Sequence, residues 1–408
     1  MNRLVVIGGG AAGFFCAVNA ARLHPGLEVV LLEKTGKLLS KVKVSGGGRC
    51  NVTHALSSIS DMVKRYPRGT QFLKKSFTHF FVPDTIRWFE ERGVSLKTEE
   101  DGRMFPVTDN SQTIIDCLLR EADRYGVQVK MHADVVRIAK QTDGWMIQLQ
   151  DGQEITAQYV CIAAGGYAQA EKFNWLQALG HTIEAPAPSL FTFNMPQNPV
   201  TALMGVSVPM AQVKIAGTKL QESGPLLITH WGMSGPVILR LSAWGARLLQ
   251  AQEYTFTLLV NWLPDYHESS LRDAWPQWRL DMGGQMIYTK NPFGLPQRLW
   301  HFLLQQCGIH EEIRWSELPG KEQNKLIRYL TGMEFPVKGK TTFKEEFVTC
   351  GGIRLSEIEP DTMQSRVVPG LFFAGEVMDV DGITGGFNFQ HAWTSGFVAA
   401  NLGALKKS

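Results

Sequence analysis

An α/β fold built from both ends of the chain is predicted by three observations. The N-terminal residues read strand, glycine turn, helix, strand; residues 370–396 repeat a strand, a glycine turn and a helix; the stretch between them has an apolar period of two that later gives way to a helical one. Strands joined through a helix require a parallel sheet with helices on its faces, so the two ends share one Rossmann-type layer around a middle insertion.

Each element follows in order. Leu4–Ile7 is an apolar strand, Gly8–Gly13 a turn, Ala11 to Leu23 an apolar helix, and Glu28–Leu32 a second strand closed by Glu33. Residues 56–126 read as mainly helical, with Phe77, Phe80, Phe81, Trp88 and Phe89 at helical or near-helical spacing, a core stripe. From Val127 the segments VQVKMHADVVRI, WMIQLQ and EITAQYVCIA predict a small β-meander running into a buried strand that ends at Ala163-Ala164-Gly165-Gly166. Pro186, Pro188, Pro196 and Pro199 mark a change of module. Residues 190–262 then read as strands and 267–330 as tryptophan-rich helices, before a last strand, Gly370–Ala374, and a last helix from about Phe389. The expected divisions are 1–188, 189–264, 265–335 and 336–408, the first and last forming one domain.

Composition narrows the class. The 408 residues are 44% hydrophobic and 19% charged with a net charge of +3, which excludes a disordered, collagen-like or multi-span membrane chain. The uncharged run 4–21 holds four glycines, too many for a leader helix, and no other stretch is long and apolar enough to span a bilayer. Six cysteines, never closer than 34 residues, form no CxxC pair and point to a reducing, cytoplasmic setting. The ten histidines show no HExxH-type spacing, so no metal is expected.

The chemistry starts at Gly8-Gly9-Gly10-Ala11-Ala12-Gly13, a GxGxxG between strand and helix. Gly8 permits the tight turn, Gly10 lets backbone approach a pyrophosphate, and Gly13 allows helix and strand to pack closely. The helix N-terminus offers free N–H groups to phosphate. Glu33, twenty residues after Gly13, takes the adenosine ribose hydroxyls and repels a 2′-phosphate, which leaves FAD or NAD. The second strand-to-helix turn, at Gly385-Gly386, decides for FAD: a helix N-terminus there faces the pyrimidine edge of a flavin, where negative charge develops on reduction.

Three segments carry a family resemblance. Ser45-Gly46-Gly47-Gly48-Arg49-Cys50-Asn51-Val52-Thr53, Thr229-His230-Trp231-Gly232-Met233-Ser234-Gly235-Pro236, and Gly375-Glu376-Val377-Met378-Asp379 with Gly385-Gly386-Phe387-Asn388 resemble the HI0933-like (YhiN/BaiN) flavoproteins over essentially the whole chain. The resemblance implies non-covalent FAD in a two-dinucleotide-binding domain, with an inserted β-barrel-like domain carrying a helical subdomain. It also implies reduction of activated C=C bonds, such as a uridine of ribosomal RNA or an oxo-bile acid, with aminoacetone oxidation in a related branch.

With the resemblance, the expected FAD contacts at the first turn and second strand are Gly8, Gly10, Ala11, Ala12, Gly13, Glu33 and Lys34. Lys41, Ser45, Gly46, Gly47, Arg49, Cys50 and Asn51 are expected from the glycine loop, and Val135, Ala164 and Gly165 from the meander and the strand after it. Gly375, Glu376, Gly385, Gly386, Phe387 and Asn388 complete the set. Cys50, kept reactive by basic neighbours, or His230 is the expected proton donor to the carbon beside the one that takes hydride from flavin N5. The middle of the chain has no second GxGxxG, so NAD(P)H is expected to bind only transiently as electron donor.

Between Lys34 and Lys75 ten basic residues face one acid, Asp61. This segregated charge suggests an RNA surface, with Lys64, Arg65, Arg68, Lys74 and Lys75 on phosphates and Tyr66, Phe72 and Phe77 stacking on bases, without DNA specificity. The leading expectation is therefore a cytoplasmic FAD-dependent C=C reductase acting on uracil in ribosomal RNA. The alternatives are reduction of a small unsaturated ketone, an O₂-using oxidase of a small amine or aminoketone, and an RNA-binding flavin sensor without turnover.

Overall fold

The computed structural model describes residues 2–341 and 348–403. It divides into two compact units, Met1–Ser189 with Lys344–Ser408, and Leu190–Phe343. Each has its own core.

The first unit is built on a five-stranded parallel sheet. Its central strand β1 (Arg3–Ile7) is followed by α1 (Ala11–Leu23) and β2 (Glu28–Leu32), and Gln128–Lys130 extends the sheet beyond β2. On the other side of β1 lie Tyr159–Ile162 and then Leu371–Phe373, so the two chain ends do meet in one sheet. Strands covered on both faces become continuous apolar runs, and Leu4, Val5 and Val6 are fully buried. Helix α1 has no charge before Arg22 because it is buried nearly all round, from Ala12 to Ala20. The C-terminal helix, Phe387–Ala400, crosses it so closely that a Cβ on Gly396 would lie 2.7 Å from Ala12 O. Phe80, Phe81, Trp88 and Phe89 are core as expected; Phe15 packs against Phe80, Trp88, Phe89 and Trp393.

Local expectations needed correction at four places. The mainly helical reading of 56–126 misses a hairpin, Leu96–Thr98 with Arg103–Pro106, whose alternation is too short to register. VQVKMHADVVRI is not one meander strand: Gln128–Lys130 joins the parallel sheet, and Val135–Gln141 opens the antiparallel meander with Gly144–Leu149 and Glu154–Ala157. The last helix starts at Phe387, two residues earlier than read. In the second unit, the strand reading of 190–262 is interrupted by a sixteen-residue helix, Pro236–Ala251, started by a proline in its first turn.

That second unit pairs a seven-stranded antiparallel sheet with helices Glu268–Met282, Gln297–Cys307 and Gly320–Gly332. It runs past the expected division at 335/336 because Met333–Lys338 pairs along Thr255–Asn261. Its core includes Trp262, Trp275, Trp300 and Trp315. Among the described residues, no helix is long and apolar enough to cross a membrane.

Candidate functional site

The first glycine turn separates packing from opening. A Cβ on Gly8, at φ +117°, would lie 2.3 Å from Ala163 O, and one on Gly13 would lie 1.9 Å from Gly8 O. Both glycines therefore hold β1, α1 and the Tyr159–Ile162 strand together. Gly10 differs: its Cβ would meet nothing within 4 Å among the described residues. It caps α1 with no side-chain hydrogen bond, and the first turn of α1 carries no acid. The positive end of the helix is thus left to a ligand anion.

Glu33 stands at the carboxyl end of β2. Its Oε2 accepts from Gly9 N at 2.8 Å and its Oε1 from Thr35 N and Oγ1, both at 2.8 Å. These donors fix the carboxylate and leave it about one further acceptor position of roughly four. Residues 132–135 run beside it, with Ala133 N bonded to Glu33 O, which brings Val135 to the same edge. Lys34 is exposed there, 5.8 Å above the Tyr167 ring.

The glycine loop is a built support. The helical segment Ser40–Gly48 breaks at Ser45, Gly46 and Gly47, and Gly46, Gly47 and Gly48 all have positive φ. Cys50 N returns to Ser45 O at 3.0 Å, and Ser111 N reaches Gly48 O at 2.8 Å. Arg49 lies 4.0 Å over the Phe105 ring and bonds Glu99 at 2.6 Å, so its charge is used on the hairpin. Lys41 is paired with Glu376 at 2.6 Å, and Glu376 also accepts from Thr349 N at 2.7 Å. Gly47, Gly48 and Gly165 carry open space where a Cβ would stand.

Asn51 joins this loop to the C-terminal turn. Its amide accepts from Gly386 N and donates to Thr53 O, each at 3.0 Å. Thr53 Oγ1 donates to Gln390 at 2.7 Å, Tyr66 OH to Phe387 O at 2.6 Å, and Trp393 Nε1 to Val52 O at 2.9 Å. Gly375 is held from the same helix: its N donates to Ser395 Oγ at 2.9 Å and its O lies 3.2 Å from His391 Nε2. Burial pushes His391 down to about 4, so the ring is neutral. Asn388, expected at the flavin, has both amide atoms on Gly382, at 2.8 and 2.9 Å. The C-terminal helix also starts at a glycine without a side-chain cap or a first-turn acid.

Several expectations change. Cys50 is fully buried at φ +63°, and desolvation pushes its thiol up to about 12 against a weaker opposing bond from Ser45; basic neighbours do not activate it. Arg68 is not free for RNA: its guanidinium grips the fully buried carboxylate of Asp381, which also accepts from Ser189 Oγ at 2.8 Å. Tyr66, Phe72 and Phe77 are core residues and stack on no base. Arg65, Lys74 and Lys75 are exposed, and Lys64 is exposed but paired with Asp61 at 2.8 Å. His230 lies in the second unit, exposed, its ring 4.2 Å from that of Trp231.

Sequence reasoning missed His54, Tyr66, Gln390 and Asp381 as supports of the C-terminal turn. His54 directly follows the quoted motif, and that adjacency is the one signal available.

The residues present fit an adenine dinucleotide: an open glycine on an uncapped helix, a fixed carboxylate beyond it, and a second uncapped helix start tied to the same loop. A 3-dehydro-bile acid delta(4,6)-reductase of Clostridium scindens is 28% identical, with 99% of each chain covered. A ribosomal RNA dihydrouridine synthase of Escherichia coli is 32% identical, with 99% of this chain and 98% of that one covered. The structure of 3-ketosteroid delta1-dehydrogenase from Sterolibacterium denitrificans superposes with a TM-score of 0.52 over 100% of both chains at 13% identity, a likeness of fold. The chain matches the HI0933-like protein Rossmann domain over residues 2–402; it belongs to that family and is an FAD-dependent oxidoreductase.

Proposed function

We propose that the protein adds two hydrogens across a C=C bond conjugated to a carbonyl, and that its substrate is uracil in structured RNA. The observation that carries this is the agreement of two relatives that differ in substrate. Both are named for hydrogen addition to an unsaturated ring, and the one named for RNA is 32% identical over nearly the whole chain.

Bound FAD would supply the hydride. Gly10 and the first N–H groups of α1 would hold its pyrophosphate, Glu33 its ribose, and the N-terminus of the C-terminal helix the pyrimidine edge of its ring. The reaction also needs a proton donor: of the two expected, His230 is exposed in the second unit and the Cys50 thiol is fully buried. NAD(P)H is the proposed transient electron donor.

The test is anaerobic reduction of the yellow protein by NADH or NADPH, then mixing with uracil-containing RNA, a cyclic enone, or air. Reoxidation by RNA, with a mass gain of two hydrogens per modified base, is expected. Reoxidation by O₂ with peroxide formation, and by neither RNA nor the enone, would overturn the proposal. A second reading, a small unsaturated ketone as substrate, is favoured by the burial of Tyr66, Phe72 and Phe77, and predicts reoxidation by the enone but not by RNA.

A further inference from the structure

His54 lies in the short strand Thr53–His54, opposite Arg103 of the hairpin. Its Nδ1 is 3.0 Å from Gly385 O. A carbonyl oxygen only accepts, so Nδ1 carries the proton. The ring stacks on Phe387, with centroids 4.7 Å apart and planes at 25°. On the far side it meets the hairpin turn, where a Cβ on Gly102 would lie 2.6 Å from Nε2, and Ala55 N holds Gly102 O at 2.8 Å. The imidazole is thus wedged between the hairpin and the glycine turn that starts the C-terminal helix. Asn51 takes the N–H of Gly386 and Tyr66 bonds the carbonyl of Phe387, which leaves the Gly385 carbonyl to His54.

We infer that His54 is a positioning residue for the cofactor turn: by holding Gly385 it sets where the free N–H groups of the C-terminal helix point. This rests on the reading that FAD occupies that turn. The groups facing the ring are Asp101 on the hairpin turn, Arg103 on the hairpin strand, and Arg65, whose carbonyl accepts from Ile383 N. Burial, and more weakly the two arginines, lower the ring's affinity for a second proton, and the Gly385 bond and Asp101 oppose them.

The experiment measures FAD release from the loaded full-length protein at fixed pH, through the fluorescence of free flavin. His54→Asn places an N–H near the Nδ1 position, His54→Gln near Nε2, and His54→Ala neither. Loss of one hydrogen bond predicts FAD bound about tenfold more weakly in His54→Gln and His54→Ala, with His54→Asn within about twofold of wild type. Equal behaviour of the three variants, beside a wild type that binds FAD, overturns this role alone. A wild type that binds no FAD overturns the cofactor reading with it.

Discussion

At the N-terminal turn, Gly8 and Gly13 are packed by main chain of the first strand-helix unit and of the neighbouring strand end at Ala163. At the C-terminal turn, Gly385, Gly386 and Phe387 are held by side chains of His54, Asn51 and Tyr66, more than three hundred residues away in the chain. One turn is held by main chain, the other by remote side chains. A substitution that breaks the first must distort main chain, whereas the second can be loosened one hydrogen bond at a time.

The largest effect is expected where main chain has no room. Gly13→Ala puts a methyl 1.9 Å from Gly8 O, and overpacking between two backbones costs about 3 kcal/mol or more, read as a loss of soluble folded protein or a large drop in Tm. Gly10→Val sharpens the contrast within the same turn. Nothing lies within 4 Å of its Cβ, so the fold should survive while FAD content falls to background. A Gly10→Val protein that is purified yellow would break the assignment of that opening.

Asn51→Ala tests the second turn. It strands the Gly386 N–H and the Thr53 carbonyl, a cost of about 1–3 kcal/mol in denaturant unfolding, with FAD retained but weakened. His391 gives the same region a pH signature. Its folded value of about 4 lies below the ordinary 6.5, so between these the unfolded chain binds more protons. The stability contribution is complete above about pH 6.5 and is lost as pH falls toward 4. His391→Gln, which keeps a donor for Gly375 O, should flatten that window in thermal melts; an unchanged pH profile would refute the assignment.

This difference also explains what was legible beforehand. The strand Glu28–Leu32 and the helix Ala11–Leu23 coincide with their sequence reading, because apolar runs, glycines and a terminal carboxylate are all local signals. The hairpin at 96–106, the splitting of 128–141 and the helix Pro236–Ala251 depend on which partner a short segment meets. The same blindness affected charge. Arg49 and Arg68 belong to a basic stretch in sequence, but Glu99 and Asp381 are brought to them by the fold. Asn388, expected at the flavin, has both amide atoms on Gly382, a partner six residues back that no local pattern announces.

The smallest effect on the molecule itself is expected at the basic segment. Lys64, Arg65, Lys74 and Lys75 are exposed; Arg65 meets Ile383 N near the C-terminal turn through its main-chain carbonyl, which a side-chain change leaves in place. Neutralising all four should leave FAD content unchanged and stability within about 0.5 kcal/mol, since surface positions away from caps and networks contribute little. Arg68 is left in place because its removal would strand the buried carboxylate of Asp381. If the segment binds RNA, each lost phosphate contact lowers the slope of log affinity against log salt by about 0.7 for a single strand. The four changes together should flatten it by at most about 3, and by less if Lys64 spends its charge on Asp61. RNA binding at several salt concentrations, compared between wild type and the fourfold variant, decides. Identical slopes would leave the exposed lysines as a solvated face and strengthen the small-ketone reading, because the aromatic residues between them are already committed to the core.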